Sequence, residues 1–302
     1  MDPLSPMLVV GGSGWLGQQL CHYFAKIGIS HVYNMSRTQS NVPGCTFLQG
    51  SVLKGTDVSA ALSRAQPRTV LYLAANTSRS AKDDGEEMRR VNVDGLRMTI
   101  EACIEWGGVT KFLVFGSFAE YGQAPVPFRE DGPANPTTLY GTTKLEASRL
   151  AISYDGRLPI CVARFSLLYS DVPRQDTFLG ALYHAIRTRE PLSIPKERIT
   201  RDFLHVSDAF DGVVRILENF AECRGEIINL CTGRGVSLSD VVKLAEEASG
   251  IECLASTRPG CGRLDQPEYY GDTAKAQRLL GSTWPKSIEI GAREIVVEAL
   301  SE

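Results

Sequence analysis

Met7-Leu8-Val9-Val10-Gly11-Gly12-Ser13-Gly14-Trp15-Leu16-Gly17 is the stretch whose reading decides the fold. Four apolar residues run without a break into a glycine cluster, and beyond it Leu16, Leu20, Phe24 and Ile27 recur at helical spacing. This is the pattern of a buried strand, a tight loop and a helix. Gly11 permits the turn, Gly14 leaves room for a pyrophosphate to approach the backbone, and Gly17 allows close contact between helix and sheet. The first helical residues, Trp15 and Leu16, add backbone amides and the positive end of a helix dipole, which favour an anion. The glycine spacing departs from G-x-G-x-x-G, so its weight comes from its place between strand and helix.

Outward from this turn the chain alternates. Strands are expected at 31–35, 45–48 and 69–74, the last so continuously apolar that it reads as a parallel strand covered on both faces. A helix over 86–106 ends at Gly107 and Gly108, followed by a strand at 111–115, a helix at 140–154 and a strand at 159–165. Units of this length imply right-handed crossovers and a parallel sheet. Further on, helices are expected at 177–187, 207–219 and 238–248, a strand at 226–231, and a loop containing Gly and Pro at 258–267. The reading is an α/β protein with a doubly wound parallel Rossmann sheet and a smaller C-terminal substrate-binding lobe. Residues 1–165 form the main dinucleotide-binding region and 166–302 the mixed lobe, with the elements near 207–231 returning to the core.

Composition narrows the function classes. The 302 residues are 43% hydrophobic and 22% charged, as in an ordinary globular enzyme. Acidic residues number 35 against 32 basic ones, a net charge of -3 that gives no basic field for nucleic acid. Eight cysteines include no CxxC pair and the four histidines are widely spaced, so no metal is expected. Neither a secretory signal nor a membrane-spanning run is read, so a cytoplasmic location without membrane partners is the expectation.

Tyr140 and Lys144 stand four residues apart, on one face of the helix at 140–154. An ammonium beside a phenol favours phenolate and eases proton exchange with an alcohol or carbonyl oxygen. Ser117, just past the strand at 111–115, can orient that oxygen. Ser117, His205 and Asp208 do not read as an acyl-transfer triad, because Ser117 lies outside a G-x-S-x-G elbow.

Taken in order, the chain resembles the extended short-chain dehydrogenase/reductase family, in its NAD-dependent epimerase/dehydratase branch. The matching residues are Gly11/Gly14/Gly17, Leu73-Ala74-Ala75-Asn76, Asn92-Val93-Asp94-Gly95, Ser117, Tyr121-Gly122, Tyr140-Gly141-Thr142-Thr143-Lys144 and Arg201-Asp202-Phe203-Leu204-His205-Val206. The resemblance implies a nicotinamide cofactor in the N-terminal region, with Ala74, Ala75 and Asn92 among the residues around it. It implies Tyr140 as acid/base, Lys144 as its electrostatic and cofactor-ribose partner, and Ser117 as donor to the substrate oxygen. Arg201 resembles an arginine that contacts the diphosphate of sugar nucleotides, and Arg258 and Arg263 are further candidates. A homodimer is compatible with this family.

Departures from the family pattern refine the expectation. An acid near the end of the second strand would read the adenosine ribose and favour NAD, but Asn34 is taken to stand there. Ser36 and Arg37 can instead meet a 2′-phosphate, so NADP is favoured and NAD is the alternative. Ser51 stands where the family commonly has an Asp facing adenine. Phe118 and Ala119 replace the Asp-Glu pair of the dehydratases, and Glu120 does not restore it, which lowers dehydration in rank. Leu167 and Ser170 replace an asparagine and a glycine of many sugar-nucleotide enzymes. The leading reading is an NAD(P)-dependent carbonyl/alcohol oxidoreductase, with a sugar-nucleotide ketoreductase or epimerase as its specific forms. The alternative is a catalytically silent NADP-binding regulatory subunit.

Overall fold

The computed structural model describes residues 4–77, 85–252, 256–258, 266–281 and 288–301. Its chain falls into two compact units. The first contains 1–122, 134–164 and 212–228, and the second contains 123–133, 165–211 and 229–302.

The first unit begins with strand β1 (Met7–Val10), all four of whose residues are buried, followed by helix α1 (Trp15–Lys26). Next come β2 (Val32–Ser36), β3 (Cys45–Gln49), α2 (Gly55–Ala65) and β4 (Thr69–Tyr72). Helices α3 (Glu86–Arg89) and α4 (Gly95–Trp106) flank a π-helical turn at Arg90–Asp94. Strand β5 (Lys111–Ser117), helix α5 (Leu139–Ser153) and β6 (Ile160–Phe165) follow. The seven-stranded sheet has the order Ile227–Leu230, β6, β5, β4, β1, β2, β3. β1 pairs in parallel with both β2 and β4, so the winding reverses at β1. In doubly wound sheets the ligand crevice opens at the carboxyl ends of the strands at such a reversal.

Alternation along the strands builds two buried faces. Leu8, Val10, Val70, Tyr72, Phe112, Val114, Ile160 and Val162 form one cluster with α2 (Val58, Leu62), α4 (Leu96, Ile100) and α5 (Ala147, Ala151). Met7, Val9, Leu71, Leu113, Cys161 and Ala163, the alternate residues, are 0% exposed on the other face. Full burial of each aliphatic side chain contributes about 1.5–3 kcal/mol.

The second unit has its own core. Helices Phe178–Thr188, Leu238–Ser249 and Ile288–Ser301 supply Leu182, Ile186, Val241, Ala245, Ile295 and Val296, which close around Tyr169 and Phe203. Its strands are short pairs: Leu167–Tyr169 runs parallel to Phe203–His205, and Ser256–Arg258 runs parallel to Ser193–Pro195.

Two expectations are corrected in detail, and one helix is added. The segment at 86–106 is not one uniform α-helix, because its middle widens into the π turn. Helical periodicity cannot reveal one inserted residue. The fourth strand stops at Tyr72 rather than 74, since Leu73 and Ala74 bend into the loop facing Gly11. Helix α2 was not anticipated: its buried residues Val58, Ala61, Leu62 and Ala65 make a weak apolar stripe among polar neighbours.

Gly11 holds a φ of +93°, and Gly17 lies against the loop so closely that a Cβ there would sit 2.5 Å from the Gly12 α-carbon. Backbone, not a movable side chain, fills that space. Gly17→Ala is therefore expected to lower stability by about 1–3 kcal/mol, read as an earlier denaturant midpoint at unchanged m-value. A wild-type midpoint would show that α1 can withdraw without cost.

Candidate functional site

The glycine loop, the end of β2 and the start of the 73–75 segment enclose a cavity of about 300 Å³. Gly11, Gly14, Ser36, Arg37, Ser51, Ala74 and Ala75 line it, seven of the residues the sequence singled out for cofactor contact. Gly17 packs beneath the loop, and Trp15 and Leu16 form the first turn of α1. At Gly14 a side chain would meet only the Gly11 carbonyl, at 3.6 Å, so the backbone there is open to a ligand.

Under the loop lies a set of hydrogen bonds that the sequence did not reveal. Asn34 is 1% exposed, donates its amide to the hydroxyls of Ser13 and Ser40, and accepts from Ser36 Oγ at 2.8 Å. Ser36 Oγ in turn accepts the Ser13 N–H at 3.1 Å. Asn34 is thus a buried support of the loop, not the ribose-reading position. The residue at the carboxyl end of β2, facing the cavity, is Ser36. Exposed Arg37 follows at the rim. Among the described residues lining this cavity there is one guanidinium and no carboxylate. Ser51 also borders it, but its N–H is held by Asp57 at 2.9 Å and its hydroxyl accepts from Leu53 N–H at 3.3 Å.

Ser117 ends β5 and caps a short 3₁₀ turn, Phe118–Glu120. Its Oγ accepts the Ala119 N–H at 3.2 Å, while its own N–H donates to Glu120 Oε1 at 2.8 Å, a reciprocal capping box. Glu120 is completely buried, and its other oxygen accepts from Arg164 Nε at 2.7 Å. The Arg164 guanidinium lies 4.7 Å from the centre of the Tyr121 ring. Glu120 therefore positions Ser117 through β6 and is not an exposed acid.

Tyr140 occupies the first turn of α5, half-buried, after Thr138 has capped the helix by accepting the Gly141 N–H at 3.0 Å. Lys144, one turn on, is buried and donates to the Phe115 carbonyl of β5. That bond ties the helix carrying Tyr140 to the strand carrying Ser117. Burial pushes the Lys144 ammonium below its ordinary 10.5, and the Glu120 carboxylate opposes the shift. Asn92, in the π turn, is 2% exposed and spends its amide on protein. It accepts the Asn76 N–H at 2.7 Å and donates to the Asn76 carbonyl at 3.1 Å and to Thr143 Oγ1 at 2.9 Å. It clamps the loop after β4 to α5, which fits the frequent use of π turns at functional sites.

In the second unit, Arg201 directs Nη1 to the carbonyls of Thr200, Gln266 and Pro267, at 2.6, 3.3 and 3.3 Å, and lies 5.3 Å from the Tyr269 ring centre. It orders the chain at 266–269, a task the motif match did not suggest. Arg258 closes the strand Ser256–Arg258, with its side chain outside the described residues, and Arg263 lies outside them altogether. Leu167 is exposed, and Ser170 Oγ donates to the Val172 carbonyl at 2.7 Å. His205 shares hydrogen bonds with Ser207 Oγ at 2.7 Å and with Asp171 Oδ1 at 3.1 Å.

A doubly wound sheet with a glycine-loop cavity at its reversal point and a Ser, Tyr and Lys set between β5 and α5 is the arrangement of a nicotinamide-dependent enzyme. Residues 7–231 match the model of the NAD dependent epimerase/dehydratase family, and the chain belongs to that family. It is 26% identical to a UDP-glucose 4-epimerase of Azospirillum brasilense, over 91% of this chain and 86% of the relative. It is also 26% identical to a dTDP-6-deoxy-L-talose 4-dehydrogenase (NAD(P)(+)) of Kitasatospora kifunensis, over 95% and 93% of the two chains. Among solved structures it resembles the UDP-glucuronic acid 4-epimerase of Bacillus cereus in complex with UDP-glucuronic acid and NAD. That match has a TM-score of 0.85 and 25% identity, and covers 98% and 99% of the two chains. The chain is an NAD(P)-dependent enzyme of the epimerase/dehydratase type, which sets aside the silent regulatory subunit. Among the described residues no helix is long and apolar enough to cross a membrane.

The buried lysine has a measurable signature. Between its depressed folded value and 10.5 the unfolded chain binds more protons, so this group's share of stability rises with pH across that window. Lys144→Met removes the titrating group. The stability of K144M relative to wild type is expected to be greatest at neutral pH and to fall as pH climbs toward 10.5. Denaturant midpoints taken across that range test it, and a pH-independent difference would mean that burial does not depress Lys144.

Proposed function

We propose that this enzyme catalyses reversible hydride transfer at C4 of a nucleoside-diphosphate sugar, in an epimerisation cycle, with Tyr140, Lys144 and Ser117 as its reacting and orienting groups. The observation that carries the reading is the placement of Ser117 at the end of β5 and Lys144 on α5, tied together at Phe115, one helical turn from Tyr140. The relatives that act at the sugar 4-position supply the substrate class.

The cofactor site fits a dinucleotide on this chain's own geometry. The open backbone at Gly14, the N-terminus of α1 and the cavity lined by Ser36, Ser51 and Ala74 suit a pyrophosphate and an adenosine. When bound, the nicotinamide supplies or accepts the hydride. The Ala119 N–H occupies one lone pair of Ser117 Oγ and leaves the hydroxyl hydrogen to donate to the substrate oxygen. The Tyr140 phenolate oxygen takes the proton from the sugar alcohol on oxidation, and the hydroxyl so formed returns it on reduction. Charge on Lys144 lowers the cost of the Tyr140 phenolate during that exchange. Glu120 and Asn92 hold this constellation in place without touching substrate.

A second reading, net reduction of a 4-keto sugar nucleotide by NADPH, is favoured by one observation. The cavity presents Ser36 and Arg37 where an acid would select the free ribose, so a 2′-phosphate meets a cation and no carboxylate. The same feature favours NADP over NAD in either reaction, although the Bacillus cereus relative is described with NAD.

Product analysis decides between the two reactions, and cofactor titration tests the NADP reading. Product analysis with UDP-glucose and catalytic cofactor should show the C4 epimer, and net alcohol formation from a 4-keto sugar nucleotide with stoichiometric NADPH would favour the reductase. Titration should show tighter binding of NADPH than of NADH, with Ser36→Asp reversing the order; equal affinities would remove Arg37 from phosphate reading. Tyr140→Phe is expected to slow single-turnover hydride transfer about 10²–10⁴-fold at little cost in cofactor affinity. A wild-type rate for Y140F at neutral and alkaline pH would defeat the proposed mechanism.

A further inference from the structure

Two cysteines that the proposed chemistry does not use come together in the first unit. Cys21 lies within α1 and is 2% exposed, and Cys45 opens β3 and is half-buried. Their sulfurs stand 3.7 Å apart. The approach is built from both chain segments. Cys45 N–H closes a turn onto the Val42 carbonyl at 3.1 Å, and Val42 is buried. At Gly44 a Cβ would lie 3.3 Å from the Cβ of Ala25, the residue one helical turn beyond Cys21. The turn before β3 therefore lies across the face of α1 that carries Cys21 and Ala25, and this packing holds the two sulfurs together.

The pair is asymmetric in a way that assigns roles. The hydrogen bond shared by the two thiols holds Cys45 below its ordinary range, against some burial, while that bond and burial push the Cys21 thiol up. Cys45 is also the more accessible of the two. The other described cysteines, Cys103, Cys161, Cys223 and Cys231, are buried. Thiolate character and access together determine which cysteine meets an oxidant first.

We propose that Cys21 and Cys45 form an oxidisable pair, in which a hydroperoxide oxidises Cys45 and Cys21 resolves the product to an intramolecular disulfide. The Cys45 thiolate attacks one peroxide oxygen. An S–O bond forms as the O–O bond breaks, hydroxide leaves, sulfur loses two electrons and the peroxide gains them. The Cys21 sulfur then attacks the Cys45 sulfur, an S–S bond forms as the S–O bond breaks, and the departing oxygen leaves as water with the Cys21 proton. The hydroxide from the first step takes up the proton that Cys45 had released. In sum, two thiols and one hydrogen peroxide give a disulfide and two waters. Forming the bond brings the sulfurs from 3.7 Å to about 2.05 Å. The bond would pin α1, whose first turn adjoins the glycine loop, to β3, whose far end leads into Gly50 and Ser51 of the same cavity.

The test uses the full chain treated with hydrogen peroxide, then alkylated under denaturing conditions, digested and mapped by mass spectrometry. The expected result is a cross-linked peptide joining Cys21 to Cys45, lighter by two hydrogens and reopened by dithiothreitol. Cys21→Ser should instead leave Cys45 as a sulfenic acid that dimedone captures, and Cys45→Ser should leave Cys21 alkylatable. Both replacements are close in size, and the wild-type map decides the matter even if a variant fails to fold. Cys21 and Cys45 both remaining alkylatable, at peroxide doses that oxidise free cysteine, would overturn the proposal. So would Cys45 joined to any other cysteine, Cys253 and Cys261 included.

Discussion

Where β1 ends, three stretches of backbone meet at distances that leave no room for side chains. Gly11 donates its N–H to the Met35 carbonyl of β2 at 2.9 Å, and a Cβ on Gly11 would lie 2.6 Å from the Ala74 nitrogen beyond β4. Gly12 lies over Asn34, and Gly17 brings α1 down onto Gly12. This convergence sets the direction in which α1 leaves the sheet and opens the cavity between β2 and the 73–75 segment. An added methyl at any of the three would have to displace main chain or the buried amide of Asn34. Close packing makes such displacement costly, because the interior has no slack to absorb it.

The reacting end of the site depends on a different kind of constraint, the satisfaction of buried polar groups. Glu120 and Arg164 form an ion pair with both side chains almost wholly buried. Its value lies in geometry, because a buried pair gains little net stability over apolar packing, while removal of one partner leaves a stranded charge. One Glu120 oxygen meets Arg164 and the other fixes the N–H of Ser117. Asn92 does the same work with an uncharged amide, joining the loop after β4 to α5. Buried side chains therefore fix the chain at Ser117 and tie the loop after β4 to the helix that carries Tyr140 and Lys144.

These two constraints differed in how far they could be read in advance. The strand–loop–helix at 7–26, the alternation that follows and the Tyr140/Lys144 spacing were legible because each is a local pattern in the chain. The strands and helices of the first unit fell close to their expected places, apart from α2, whose apolar stripe is thin, and the π turn, which leaves no periodic trace. The role of Asn34 was misread. Its side chain is a support only because Ser13, Ser36 and Ser40 gather around it, and no spacing in the chain announces that meeting. The contacts of Arg201 Nη1 with backbone carbonyls 65 and 66 residues away, and with that of its neighbour Thr200, were equally invisible in the sequence.

The amino-acid sequence by itself determined the parallel α/β architecture, the glycine turn and the helix face shared by Tyr140 and Lys144. Hydrophobic periodicity and steric freedom act over a few residues, so they are written into short stretches of chain. Tertiary structure alone decided that Ser36 rather than Asn34 faces the cavity, that Glu120 is a buried strut and that Asn92 is a clamp. It also decided that Cys21 and Cys45, 24 residues apart, stand in contact. Each of these rests on a hydrogen bond or van der Waals contact between segments distant in the chain. Such contacts exist only once the sheet has fixed the strand order and the helices have packed against it, because the entropy of bringing distant segments together is overcome by the fold as a whole and not by any one pair.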